Sequence, residues 1–426
     1  MKKILAAGIS ALCAAVVFAG GIENKTNMST GYLRNPSRNT EHARPEAAFY
    51  NIAGTAFMKD GLHIEVGNQF ILKEYKNEFD DARLAPLGLN GKSYNDETTV
   101  LLYPNADIVY KHGRWAVFAN FGIYAGGGKL DYSEGTTATA LGFAAAAQAA
   151  QKAGQATVAA AYQNLINNHS LTVTSITYGW QIGGSYALTD WIALGAAFRL
   201  TYGTQDLELG IPGQESAGYN ASAIGFSGVF GVHAKPVEKL DVSGQFAWRS
   251  KMNYEVKDLK NKAAAAKFGI YEGNEFRTDL APVLNLGVGY QIIDPLYVST
   301  SFNFYFNSLA KMNSVLSKED NKFDPSFEIA LGADYEISKS VLASLGVAYG
   351  KQGVTKEANN TFNPVLDSFQ VGAGVEVKPV EPLAITGGVT WVNYFAADYT
   401  VGDYNTKLSK PLLLMFSLGA TYRLPL

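Results

Sequence analysis

Cysteine is nearly absent from this 426-residue chain. The single example, Cys13, sits inside an apolar N-terminal run, so no disulfide scaffold holds the rest together. Charge is also scarce. Only 17% of residues are Asp, Glu, Lys or Arg, whereas soluble domains usually carry about 25%. The formal charge of −3 gives no basic excess for nucleic acid. After the N-terminus no apolar run reaches the roughly 20 residues of a membrane-spanning helix. The five histidines, His42, His63, His112, His169 and His233, show no metal-ligand spacing in the sequence. No motif marks a nucleophile, and the glycines at 126–128 lack the Lys-Ser/Thr of a phosphate-binding loop. These absences predict a chain that is no enzyme and takes no cofactor or metal.

What is present begins with a secretory signal over 1–19. Lys2 and Lys3 form the basic start, Ile4 to Phe18 the apolar run, and Val17-Phe18-Ala19 the approach to a cut near Gly20. The run is too short for an anchor, and Leu12 before Cys13 does not suit a lipoprotein cleavage point. Residues 20–60 are strand-poor, with a non-alternating stretch from Pro45 to Met58. Residues 61–426 alternate. In 61–75, Leu62, Ile64, Val66 and Phe70 share one face, and His63, Glu65 and Gln69 the other. Trp191–Gln205, Leu296–Asn307 and the run from Leu412 to Arg423 repeat the pattern.

The connections are as informative as the strands. Tight turns at Lys111–Arg114, Leu188–Asp190, Lys235–Lys239, Ile293–Pro295, Ser338–Ser340 and Lys378–Pro382 alternate with longer loops at 76–97, 127–170, 208–218, 258–278, 309–322, 351–366 and 396–407. Short turns on one side and long loops on the other are the mark of an outer-membrane barrel. The expected fold is all-β: about 14 antiparallel transmembrane strands with an N-terminal hatch, where a soluble sandwich or propeller would mix its loop lengths. Ala-rich segments at 138–168 and 260–268 predict helices among the outer loops. They would either shield the barrel mouth or collect a hydrophobic ligand.

Several stretches resemble the FadL/TodX family of outer-membrane transporters for long-chain fatty acids and other hydrophobic compounds. Phe49-Tyr50-Asn51-Ile52-Ala53-Gly54 is similar to the family's Asn-Pro-Ala hatch segment, with Ile52 where the family has proline. Ala247–Lys251, Ile329–Gly332 and the Asp294-Pro295 turn add to the likeness. The resemblance implies a monomeric barrel in outer-membrane lipid, plugged by a hatch. It further implies a lateral exit beside an inward kink in the third strand, here Arg114–Gly126, where Gly122, Gly126 and Gly127 would let the backbone bend. The usual C-terminal Phe is absent, although Leu418, Ala420, Tyr422 and Leu424 keep an apolar last strand.

A long-chain acid needs apolar walls and a cation for its carboxylate. Alternation turns Arg199, Arg249 and Lys251 toward the lumen. Each could pair there with an acid such as Glu65 or Asp241, or meet a ligand, with Arg249 and Lys251 the first choice. In the hatch, Phe49, Asn51, Ala53, Gly54, Phe57 and Met58 could touch the acyl tail or serve as plug core. The expected function is passive admission of long-chain fatty acids past a hatch. The alternative is a general porin or a structural surface barrel.

Overall fold

The structure is a computed structural model. It describes residues 24–266, 269–315, 320, 323–356, 358–361 and 364–425, so the expected signal at 1–19 lies outside the described residues. Fourteen antiparallel strands close into a barrel. They are β1 Gly61–Phe79, β2 Ser93–Val100 with Pro104–His112, β3 Trp115–Tyr132, β4 Ser170–Ala187, β5 Ile192–Gly210, β6 Ala217–Val237 and β7 Leu240–Ala247 with Asn253–Lys260. The ring continues with β8 Glu275–Arg277 with Val283–Ile293, β9 Leu296–Tyr305, β10 Ser326–Ser338, β11 Val341–Lys351, β12 Ser368–Val380, β13 Leu383–Tyr394 with Ala397–Val401, and β14 Tyr404–Leu424. β1 pairs with β14 from Leu62↔Leu424 to Phe79↔Thr406, which seals the sheet.

The alternation read from the sequence is the alternation of the wall. Val66, Phe70, Phe198 and Leu418 are exposed on the outer face, while Glu65, Gln69, Arg199 and Ser417 are buried within. Each of the six expected tight turns joins consecutive strands. Some expected loops are shorter than the sequence suggested. The chain at 396–407 is a hairpin, Ala397–Val401 paired with Tyr404–Leu408 around Gly402. Likewise β3 runs on to Tyr132. Polar side chains above the apolar band masked these extensions, but their backbones still pair.

The Ala-rich segment between β3 and β4 folds into two helices, α3 Thr137–Lys152 and α4 Ala156–Leu165, separated at Gly154. A capping box between Thr136 and Thr139 starts α3. A third short helix covers Lys262–Ala266.

The lumen is filled by the N-terminal segment, with helices α1 Thr30–Arg34 and α2 Ala47–Tyr50 and a 3-10 helix at Ile52–Phe57. Glycines on the inner wall make room for it. A Cβ on Gly195 or Gly231 would press on Ile52, and one on Gly388 would press on the Arg34 backbone. An ion-pair network fixes this hatch. Asp334 of β10 receives Arg34 at 3.1 Å and Arg38 at 3.2 Å, Arg38 also meets Glu41 and Glu46, and Arg44 meets Glu376 of β12 at 2.5 Å. Burial alone would raise the Glu41 carboxyl, but Arg44 and Arg38 beside it hold it at about 2. Removing one partner from such a buried pair costs about 3–5 kcal/mol, because the other charge is stranded.

Candidate functional site

The wall is weakest between β2 and β3. Their ladder covers Ala106–His112 against Trp115–Phe121. Above it the Ser93–Val100 part of β2 pairs with β1, and β3 from Gly122 pairs with β4. Among the described residues no ladder joins these upper halves. β2 is interrupted at 101–103, where Asn68 receives the Tyr103 N–H and donates to the Leu101 carbonyl. Leu101 and Leu102, 69% and 71% exposed, project outward there.

β3 bends at the same level. Its register with β4 shifts between Ile123 and Ala125 and again between Ala125 and Gly128. Gly126 has φ +92°, and a Cβ there would strike the Ser175 carbonyl. Gly126 and Gly127 therefore lie in the bend, whereas Gly122 lies in the regular ladder, opposite Gly179. The bulge turns Tyr124 inward over Gly179, which has no side chain to obstruct it. The start of the hatch docks on the bend: Asn24 bridges Ala125, and the Lys25 N–H donates to the Tyr124 carbonyl at 3.0 Å.

Two cavities flank this docked segment, and Asn24, Lys25 and Thr26 line both. The smaller, about 40 Å³, has room for little more than a water or two. The larger, about 210 Å³, reaches the bend at Gly126–Gly128 and is walled by Ile71, Ile123, Val392, Leu413 and Met415. It exceeds the roughly 150 Å³ that accommodates benzene in an apolar protein interior.

Lysines dominate the polar side of the larger cavity. Lys73 of β1 reaches to β3 and donates to the carbonyls of Gly127 at 2.7 Å and Lys129 at 2.8 Å. Lys410 lies over the rings of Tyr394 and Tyr75, at 4.4 and 4.8 Å. Its inward aim comes from a bulge: Lys410 and Pro411 fall where the β1–β14 register shifts between Glu74 and Lys76, and Pro411 has no N–H for the ladder. Lys25 is close enough for its charge to act on both. Among the described residues no carboxylate comes within ion-pair distance of Lys73 or Lys410. Asp96, whose charge acts on Lys73, receives Thr98 and the Asp131 N–H at Oδ1, while its Oδ2 is buried without a hydrogen bond. Each cation–π contact is worth about 2 kcal/mol or more when desolvated, against the several kcal/mol lost when an ammonium leaves water. An anion in the cavity would offset the difference. Glu328, which accepts from Thr26 and Asn303, stands on the opposite wall.

The cations singled out from the sequence have different surroundings. Arg199 is inward and 9% exposed. Its guanidinium donates twice to Gln181 Oε1 and lies between the rings of Phe49 and Tyr124. It lines the smaller cavity. Arg249 donates to the Leu309 carbonyl and stands 3.8 Å from Asp279. Lys251 is exposed, between buried Ser250 and Met252. β7 breaks at 248–252, and the break changes which residue parity faces inward. Odd positions face inward before it and even positions after, so extrapolating the alternation puts Lys251 on the wrong side.

Of the six hatch residues singled out from the sequence, Phe49 alone lines either of these two cavities. Ala53 is fully buried, and Met58 packs with Val109 and Phe118 of the wall. Phe57 lies near His233 and Lys235 toward the tight-turn end. Asn51 caps the 3-10 helix, its Oδ1 accepting from the Gly54 N–H. Ile52 donates its own N–H to Gln245 Oε1 at 3.0 Å, a bond that a proline there would lack. Sequence reasoning missed Lys73 and Lys410. The one available signal for Lys410 was the proline beside it in an otherwise apolar strand.

The structure also gathers His42, His233 and Asp241, whose ligand-type atoms lie within 4.8 Å of one another. The proton positions favour a hydrogen-bond cluster. His42 Nδ1 faces the Thr40 carbonyl at 2.9 Å and so carries its proton. His233 Nδ1 receives the Asn51 amide, which places the His233 proton on Nε2, 3.0 Å from Asp241 Oδ1.

A sequence model of the outer membrane protein transport protein family (OMPP1/FadL/TodX) matches residues 113–401. No curated protein matches the chain. Among solved structures, a FadL homologue of Pseudomonas aeruginosa superposes with TM-score 0.71 at 15% identity, covering 95% of this chain and 99% of that one. The Pseudomonas putida toluene transporter TodX gives 0.64 at 13%, covering 90% and 94%. The Ralstonia pickettii toluene transporter TbuX gives 0.61 at 13%, covering 94% and 99%. At these identities the likeness carries the fold, and the family match carries the kinship. The chain belongs to the OMPP1/FadL/TodX family of outer-membrane β-barrel channels for hydrophobic compounds.

Proposed function

We propose that this barrel admits long-chain carboxylic acids by diffusion, with the carboxylate held by Lys73 and Lys410 and the chain leaving sideways between β2 and β3. The observation that carries this reading is the pair of lysines with no carboxylate at ion-pair distance among the described residues, in a cavity of mixed polar and apolar lining beside the interrupted ladder. A neutral monoaromatic hydrocarbon would fill the volume but leave both ammonium groups uncompensated. Lys73 also bonds to the bend itself, so a carboxylate that drew it away would release the Gly127 and Lys129 carbonyls. Leu101 and Leu102 offer an apolar sill to lipid on the outer side. Arg199, set between the hatch and the bend, is a second cation along the lumen.

Binding measurements separate the substrate classes. Replacing Lys73 and Lys410 by Met should weaken palmitate binding about 10- to 100-fold, the worth of one charge-assisted hydrogen bond, and leave toluene binding unchanged. Equal losses for both ligands, or none for palmitate, would defeat the carboxylate assignment. Large steady ion conductance in a planar bilayer, without fatty-acid binding, would instead identify an open porin.

A further inference from the structure

The hatch meets the wall near its tight-turn end through a chain of hydrogen bonds in which every donor and acceptor is determined. The Asn51 carboxamide is oriented by two backbone groups: Gly54 N–H donates to Oδ1 at 3.2 Å, and Nδ2 donates to the Glu41 carbonyl at 3.0 Å. The second Nδ2 hydrogen points at His233 Nδ1, 2.7 Å away. That nitrogen must offer a lone pair, so the imidazole is neutral, with its proton on Nε2 toward Asp241. Asp241 Oδ2 receives the Tyr297 hydroxyl at 3.1 Å, and that hydroxyl also meets Thr40 Oγ1 of the hatch. Every element packed here contributes a group. The hatch brings Asn51, His42 and the Phe57 ring, β6 brings His233 and Lys235, β7 Asp241 and β9 Tyr297.

We infer that His233 is an acid-sensitive latch: neutral, it ties the hatch to the wall, and protonated, it releases Asn51 and the cap of the 3-10 helix Ile52–Phe57. A second proton on the ring must sit on Nδ1, where it faces the Asn51 N–H. Donor then opposes donor. The carboxamide can escape only by turning, which forfeits its bonds to Gly54 and Glu41.

The other histidines near the hatch do not reverse in this way. His42 Nδ1 already donates to Thr40, and His63 Nε2 donates to the Lys59 carbonyl, so both bonds survive protonation. Asp241 favours the imidazolium, while Lys235, 3.6 Å from the same carboxylate, opposes it. The remaining hatch contacts here, Gln245 to Ile52 and Phe49, Gln181 to Ala48, and Thr55 to Ser185, do not titrate.

The inference rests on the hatch occluding the lumen, as the proposed function holds, but its test needs no ligand. Hydrogen–deuterium exchange is followed for peptides spanning 51–58 in the intact protein in lipid nanodiscs. After correction for intrinsic rates, opening should rise at least about tenfold between about pH 7 and 5, where an imidazole ordinarily titrates. His233→Gln, which can accept from Asn51 and donate to Asp241 without titrating, should remove the rise. A flat wild-type profile, or the same rise in His233→Gln, overturns the latch. Should that variant fail to assemble, ¹⁵N spectra of the wild-type imidazole decide: the Nε2–H tautomer at neutral pH supports the latch, and the Nδ1–H tautomer overturns it. Loss of palmitate binding with these results intact would sink the transport reading alone.

Discussion

Acidification should loosen the helical cover of the barrel mouth through His169, and the size of the effect follows from its surroundings. The ring is buried against the edge of Phe143, with Nδ1 2.7 Å from the Leu165 carbonyl at the end of α4 and Nε2 2.6 Å from Thr139 Oγ1 at the start of α3. It ties the two helices to each other. Burial pushes its pKa down to about 4, Lys92 adding to the effect and the Leu165 bond opposing it. An open loop would titrate at about 6.5. The neutral ring is the form the closed cover holds, so its contribution is complete above about pH 6.5. As pH falls from there to about 4, the open form takes the proton first. Each unit then costs about 1.4 kcal/mol, to a total of about 3 kcal/mol. Opening of the cover should rise about tenfold per unit across that window. Proteolysis of the α3–α4 segment on intact cells, or amide exchange at 137–165, reads it directly. His169→Gln should show a flat profile and a higher opening at neutral pH. A wild-type profile that stays flat to pH 4, or one that His169→Gln reproduces, refutes the reasoning.

The remaining predictions concern the hatch and the bend. Glu41→Gln removes one carboxylate each from Arg38, which keeps Glu46 and Asp334, and Arg44, which keeps Glu376; it should destabilise the hatch by about 1.5–3 kcal/mol, seen as new ion conductance with the barrel still heat-resistant in gels. Gly126→Ala meets both the φ of +92° and the Ser175 carbonyl, and should cost about 1–3 kcal/mol and slow fatty-acid uptake. Unchanged uptake would remove the bend from the route. Gly179→Ala puts a methyl into the Tyr124 ring. It should displace that ring and free Arg199 from one of its two aromatic partners, weakening hatch docking by about 1–3 kcal/mol by the same exchange assay.

The barrel was legible in the sequence because its two faces meet different solvents. Lipid outside and a polar hatch inside write a period of two into every strand, as His63, Glu65 and Gln69 show against Val66 and Phe70. The same rule failed where a strand is interrupted. Lys251 was assigned inward by counting across a break at 248–252 that the sequence does not announce, and the break reverses the parity. Lys410 was missed for the converse reason: it faces inward because a bulge adds residues opposite Tyr75, and only Pro411 hints at that. The pairing of His233 with Asn51, residues 182 apart in the chain, follows from closing the ring around the hatch and has no local signature. Regular pairing is thus readable from one chain, and the irregularities that place the polar groups are not.

The seam has a consequence for assembly. β1 and β14 lie at opposite ends of the ring's sequence, yet they pair along nearly the whole of β1, from Leu62↔Leu424 to Phe79↔Thr406. That pairing forms only once the last strand exists, and it closes a loop of more than 300 residues, an entropic cost borne before any of its bonds are gained. The segment enclosed by the ring precedes β1. Seated before the seam is sewn, it spares Arg34, Arg38 and Arg44 a passage along a finished lumen to Asp334 and Glu376. Asp334 and Glu376 lie on β10 and β12, late strands that wait for a partner synthesised first. The ion pairs that hold the plug thereby join the first-made part of the chain to some of the last, and the hatch gains its full set of anchors only once β10 and β12 have entered the ring.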